Sequence, residues 1–182
     1  GYPNTSLFAN DGDHLNLDST GAKSNSATKE IDLSTDSGTT CTFVDAGNDI
    51  NLNGGSFIGY FFKNIKGYSK VGSFVGNGSS DGTYVHLGFR PAFILYKVSS
   101  ASSDWYLQDN KRLTYNPNNT RLEANNSDAE VTGAADRIDM LSNSFKMRHS
   151  SSSFNNSGAT YLYYAVAESP FVNSNGVPNN AR

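Results

Sequence analysis

This chain repeats itself, out of phase with its own first residue, and any fold it adopts must respect that. Residues Asn51-Leu52-Asn53-Gly54-Gly55-Ser56-Phe57-Ile58-Gly59-Tyr60-Phe61-Phe62 match Asn155-Asn156-Ser157-Gly158-Ala159-Thr160-Tyr161-Leu162-Tyr163-Tyr164-Ala165-Val166 in the placing of Asn, Gly, Ser/Thr, aromatic and aliphatic residues. The offset is 155 − 51 = 104 positions. A fainter echo lies upstream, where Leu15 with Ile31-Asp32 is spaced like Leu122 with Ile138-Asp139, offset by 138 − 31 = 107. One copy is then about 105 residues, the size of a small domain. The second copy, residues 67–182, is complete and carries a C-terminal tail. The first, residues 1–66, supplies only its back half, so the chain reads as the end of a longer tandem array.

The elements within a copy are strands. Thr83-Tyr84-Val85-His86-Leu87-Gly88-Phe89 alternates strictly, with Val85, Leu87 and Phe89 on the apolar face, the pattern of a half-buried strand. Arg90-Pro91 interrupts it, because Pro cannot donate to a ladder. Ala92–Val98 resumes as a nearly continuous apolar strand. Further strands are expected at Val71–Val75, Trp105–Gln108, Lys111–Tyr115, Arg121–Ala124, Ile138–Leu141, Ser144–His149 and Thr160–Ala167. Asn116-Pro117-Asn118-Asn119 reads as a turn. No segment sustains a 3.6-residue apolar stripe, and Asp128–Ala135 could form at most a short helical turn. Many short strands at roughly 8–12-residue spacing predict an all-β antiparallel β-sandwich of jelly-roll-like topology, in tandem copies with the first incomplete.

An incomplete first copy poses a packing problem. About 60 residues bury too little surface for comfortable stability, and half a sandwich leaves unpaired strand edges. Residues 1–66 therefore require completion by upstream chain, by the second copy, or by a neighbouring subunit. On the last strand, Tyr161 and Tyr163 lie opposite Leu162 and Tyr164. One tyrosine set must face away from the main core, toward a ligand or another subunit.

Charge and composition exclude several classes. With 14 Lys and Arg against 17 Asp and Glu, and no basic run, there is no electrostatic footprint for nucleic acid. The longest apolar runs are of strand length, short of the roughly 20 residues that a membrane helix needs, so no membrane insertion is expected. Ser and Asn together make up roughly a quarter of the chain, a bias usually seen in disorder. Ten Tyr and eleven Phe in alternating runs argue instead for aromatic strands joined by polar turns. Cys41, the single cysteine, excludes an internal disulfide and reads as a plain strand residue. The absence of an initial Met and of a signal peptide suggests a processed, cloned or partial fragment.

No catalytic constellation stands out. His14, His86 and His149 are far apart and outside any nucleophile motif. Asp104, Asp109, Glu123 and Glu130 could supply a glycosidase pair, but no spacing selects two of them. Asp11-Gly12-Asp13 and Ser80-Asp81-Gly82 contain the oxygens calcium favours, yet Asp-Gly is also common turn chemistry, and the turn is preferred. Gly72, Gly76 and Gly78 precede no helix and no Gly-Lys-Ser/Thr, so they read as bulge and turn residues. No cofactor and no metal are expected. Trp105 is the only Trp, set among Asp104, Gln108, Asp109, Asn110 and Arg112. An aromatic face beside amide, carboxylate and guanidinium groups suits a sugar ring and its hydroxyls. These six residues are the candidate ligand site. The competing reading makes Trp105 a core anchor.

Several phrases carry a family likeness: Gly67 through Gly82, Gly88-Phe89-Arg90-Pro91-Ala92-Phe93-Ile94-Leu95, Leu141-Ser142-Asn143-Ser144-Phe145-Lys146, and Asn155 through Tyr164 ending in Ala167-Glu168-Ser169-Pro170-Phe171. Together they resemble a repeat domain found in tandem near the C-terminus of tail-fibre-like and other virion structural proteins of tailed phages, marine ones especially. The final Asn180-Ala181-Arg182 also looks like such a protein's natural end. The resemblance implies a virion location, a homo-oligomer with a trimer favoured, other virion proteins as partners, and host-surface glycans as a binding target. It carries no catalytic residues. The leading expectation is a non-enzymatic virion module; the alternative is a carbohydrate-binding module of a secreted bacterial protein.

Overall fold

The computed structural model describes residues 10, 12–26, 31–32, 42–43, 52–133 and 138–170. Cys41, Asp11 and the terminal Asn180-Ala181-Arg182 fall outside them. The strands are β1 (Asp13–His14), β2 (Ser24–Asn25), β3 (Ile31–Asp32), β4 (Thr42–Phe43), β5 (Ser69–Val75), β6 (Tyr84–His86), β7 (Pro91–Val98), β8 (Tyr106–Asp109), β9 (Thr120–Glu123), β10 (Val131–Thr132), β11 (Ile138–Met140), β12 (Ser144–Met147) and β13 (Thr160–Ala167). One helical turn, α1 (Ser152–Asn155), is capped by the Ser151 side chain, which accepts from the Ser153 N–H.

An antiparallel six-stranded sheet, ordered β10-β9-β8-β7-β13-β5, faces a three-stranded sheet ordered β11-β12-β6. The molecule is an all-β sandwich. Its inner layer follows from period-2 alternation, which sends every second side chain inward. Ile94, Tyr96 and Val98 on β7 meet Tyr161, Tyr163, Ala165 and Ala167 on β13 and Phe74 on β5. Val85, Ile138, Met140, Phe145 and Met147 fill the core from the other sheet. β13 is an inner strand of the large sheet, pairing along its length with both β7 and the edge strand β5. Gly72 stands opposite Tyr163 in register. A Cβ there would lie 2.7 Å from the Tyr163 hydroxyl, so the ring occupies space that only glycine leaves.

Burial pushes the Tyr163 hydroxyl up to about 12 from 10.0. Tyr161 is raised as well, by burial first, although its bond from the Asn156 N–H works the other way. An unfolded chain ionises these groups near pH 10, whereas the folded chain keeps Tyr163 neutral to about 12. The folded state therefore holds more protons across that window, and stability present below pH 10 is lost as pH climbs through it. For Tyr163 alone the loss is about 2–3 kcal/mol. Urea unfolding at pH 8 and pH 11.5 measures it; equal stability at both would contradict the assignment.

Four local expectations differ from the structure. Lys111–Tyr115 is not a strand, because the Asp109 carboxylate accepts from the N–H groups of Lys111 and Arg112 and turns the chain away. Asp128–Ala135, allowed at most a short helical turn, instead contributes β10, where Val131 and Thr132 pair with Arg121 and Thr120, while positions 134 and 135 lie outside the described residues. Pro91 does not end a strand but begins β7, a position that needs no ladder donor. The alternation after His86 also ends early: Leu87 and Phe89 are buried as expected but lie beyond β6.

The N-terminal hairpins share their registers with hairpins of the sandwich. In β1–β2, Asp13 pairs with Asn25 and His14 with Ser24, and the Ser26 N–H donates to the Gly12 carbonyl. In β9–β10, Thr120 pairs with Thr132 and Arg121 with Val131, and the Gly133 N–H donates to the Asn119 carbonyl. Every one of those positions is displaced by 120 − 13 = 107. In β3–β4, Ile31 pairs with Phe43 and Asp32 with Thr42, as Ile138 pairs with Met147 and Asp139 with Lys146 in β11–β12. The offset is 107 on the first strand and 147 − 43 = 104 on the second, so the first connection is longer by three residues.

Candidate functional site

Alternation on β8 places Tyr106 and Gln108 on the inner face and their neighbours outside. Trp105, just before β8, therefore lies on the outer face of the large sheet, next to Lys97 of β7. That corner is covered. The connection between β1 and β2 lies over it, with the Lys23 N–H donating to the Ser99 carbonyl and the Ser103 N–H to the Thr20 carbonyl. The Trp105 indole N–H donates to the Asn16 carbonyl at 2.9 Å, and the side chain is only 7% exposed. Lys97 is fully buried and donates to the carbonyls of Thr20 and Ser103. Burial pushes its ammonium down from the usual lysine value, with nearby Asp104 partly opposing. Two backbone carbonyls give the buried cation hydrogen bonds, which lower but do not cancel its desolvation cost.

The other expected site residues separate. Asp104 accepts from the Asn125 amide at 2.9 Å, and Asn125 in turn accepts from the Trp105 N–H at 2.7 Å. Gln108 points into the core, where it accepts from the Tyr96 hydroxyl and donates to the Asn118 carbonyl. Asn110 is buried and donates to the Pro91 carbonyl. Asp109 and Arg112 form an ion pair at 2.5 Å, and Arg112 reaches Glu130 at 3.0 Å. Burial alone would raise the Asp109 carboxyl, but the N–H groups and guanidinium of Arg112, with the Lys111 N–H, hold it below the usual range. Asp104 and Trp105 thus belong to the covered corner, Gln108 and Asn110 to the interior, and Asp109 and Arg112 to a turn. The structure does not gather the six around one open aromatic face.

The turn readings of the acidic motifs gain concrete partners. Asp13 is paired with Lys23 at 2.9 Å and bonded to Asn25. Asp81 is exposed and paired with Lys146 at 2.5 Å and Arg148 at 3.3 Å. Among the described residues no three His, Cys, Asp or Glu side chains come together as a metal-holding group. The outward tyrosine of β13, Tyr164, packs against Phe62 at 4.7 Å and Phe93 at 5.8 Å, so the chain itself supplies part of its cover.

Two features escaped the sequence reading. Asn16 and Thr20 matter through their carbonyls, which no side-chain pattern reveals. Arg121 places its guanidinium 5.1 Å from the Tyr106 ring centre and 5.5 Å from that of Phe154, while paired with Glu123 at 2.8 Å. An Arg in the alternating run Thr120–Glu123 signals a strand, not the ring it will meet.

A single Trp under the N-terminal segment makes that docking measurable. Removing residues 1–26 is expected to shift Trp105 emission to the red and to raise its quenching by acrylamide, with the sandwich still folded. Unchanged emission would mean that the segment does not cover the ring.

No curated protein and no solved structure matches the chain. The family described as a domain of unknown function, DUF7483, matches residues 3–170, a span that takes in both the covering N-terminal segment and the sandwich beneath it, and the chain belongs to that family.

Proposed function

We propose that this chain is a non-enzymatic structural module of a phage virion, part of a tail fibre or another appendage. Its sandwiches space and display the surface that meets the host. The observation that carries the reading is the recurrence of hairpin registers at fixed offsets, the economy of a tandem array. The phrase-level likeness to virion repeats supports it. Assembly as a homo-oligomer, a trimer by that likeness, beside other virion proteins, belongs to the same reading. Repetition would strengthen weak contacts with host-surface glycans through effective concentration. The sandwich offers such contacts its polar exterior rather than the Trp105 ring, which is covered.

An antibody raised against residues 67–170 tests this by immunogold labelling of phage particles. Decoration of an appendage is the expected result. Label confined to a secreted bacterial fraction would replace the proposal with a carbohydrate-binding module.

A further inference from the structure

The two halves of the chain run parallel through the turn before β13 and then part. The Gly55 N–H donates to the Leu52 carbonyl at 2.9 Å, as the Ala159 N–H donates to the Asn156 carbonyl at 3.1 Å. Gly54 has φ 78° and Gly158 has φ 77°, a left-handed conformation that favours glycine, again displaced by 158 − 54 = 104. After Gly158 the chain becomes β13, held between β5 and β7. After Gly54 it runs through Ser56–Lys63 with no strand partner among the described residues. Ile58 is 82% exposed, Tyr60 80% and Phe61 71%. At the shared offset Phe57, Gly59 and Phe61 stand where Tyr161, Tyr163 and Ala165 enter the core, and Ile58, Tyr60 and Phe62 stand where Leu162, Tyr164 and Val166 face outward. An exposed apolar run of this kind marks an interaction site.

The described residues between 12 and 62 follow the registers of their counterparts in 119–166, a back half. The chain holds one front half, residues 67–110, and its strands β5 and β7 are already paired with β13. Within residues 12–170 there are two back halves to one front half, so pairing among copies of that span leaves back halves over.

We infer that residues 56–63 are an acceptor strand, an inner strand of a second sandwich, which takes on its two sides the antiparallel strands of another front half of this repeat. The incoming strands have the pattern of Ser69–Val75 and Pro91–Val98. The two strands belong to one front half, joined to each other as residues 67–110 join β5 to β7. Main-chain bonds on both edges supply affinity, and alternate apolar side chains fix the register. The inference rests on registers and exposure and does not depend on a virion location.

The test splices a duplicate of residues 64–118 directly ahead of Gly12 and compares hydrogen exchange with that of the original chain. The amides of residues 57–62 should slow at least 100-fold in the spliced chain, into the range of residues 160–167, and binding of a hydrophobic dye should fall. A splice whose duplicate carries Ile94→Lys should lose that protection. Exchange at 57–62 that stays fast in a folded spliced chain overturns the inference. So does a spliced chain that fails to fold where the original folds, since a matching front half must stabilise its back half. Light scattering supplies the remaining arm: a self-associated original chain with 57–62 already protected would make the occupant a second copy and refute the front-half assignment.

Discussion

Replacing Phe145 with alanine is expected to lower the unfolding free energy by about 3–5 kcal/mol. Phe145 comes from β12 in the small sheet, is fully buried, and is the side chain through which the two sheets meet. Its ring sits edge-on to Phe74 of β5 at 5.7 Å and to Tyr163 of β13 at 5.4 Å. Truncation removes both aromatic contacts and leaves a cavity walled by strands held in two hydrogen-bonded ladders, which limits collapse. The cost should sit in the upper range for that reason. Urea unfolding should show a lower midpoint at an unchanged slope. A loss under about 1 kcal/mol would mean that the sheets do not pack across this residue.

Asn155→Ala is expected to cost about 2–4 kcal/mol, through lost hydrogen bonds rather than lost volume. Asn155 ends α1 and is completely buried. Its carbonyl oxygen accepts from the Asn77 N–H at 3.1 Å and the Thr83 hydroxyl at 3.3 Å. Its amide donates to the Asn77 side chain at 2.7 Å and the Ser79 carbonyl at 2.9 Å. One side chain thus ties the β5–β6 connection to the turn before β13. Asn155→Asp keeps the volume and the one accepting oxygen but replaces the amide, with its two donors, by a second oxygen, which sets a carboxylate against the Asn77 and Ser79 oxygens. It should cost at least as much as alanine at pH 7 and less at pH 4, where a protonated carboxyl regains one donor. Thermal unfolding of both variants at the two pH values checks this; an aspartate variant as stable as the parent at pH 7 would sink it.

The sequence was most legible where alternation reports burial directly. β7, β12 and β13 appear within a residue or two of their expected places, because an apolar residue at every second position has one way to leave water. The inward choice of Tyr161 and Tyr163 over Leu162 and Tyr164 was not legible, since both sets are apolar enough to bury. It was settled by Gly72, whose missing side chain admits the Tyr163 ring. Lys111–Tyr115 alternates like a strand, yet the Asp109 carboxylate captures two N–H groups and bends it, a competition that pattern alone does not weigh. α1 lies in a Ser-rich stretch that reads as loop; its Asn155 is satisfied by residues some 78 positions away. Trp105 was legible as an outward or inward ring but not as a covered one. Its cover comes from residue 16, 89 positions earlier, through a backbone carbonyl that every residue possesses.

Native-state hydrogen exchange on the chain as it stands tests the central claim most directly, that a complete sandwich follows an unfilled half of the same kind. β5, β7 and β13 should exchange slowest, near the rate of global unfolding, while amides 57–62, identical in repeat position to 161–166, exchange near the unprotected rate. Protection at 57–62 equal to that at 161–166 would contradict the account, because it would show the first half already complete.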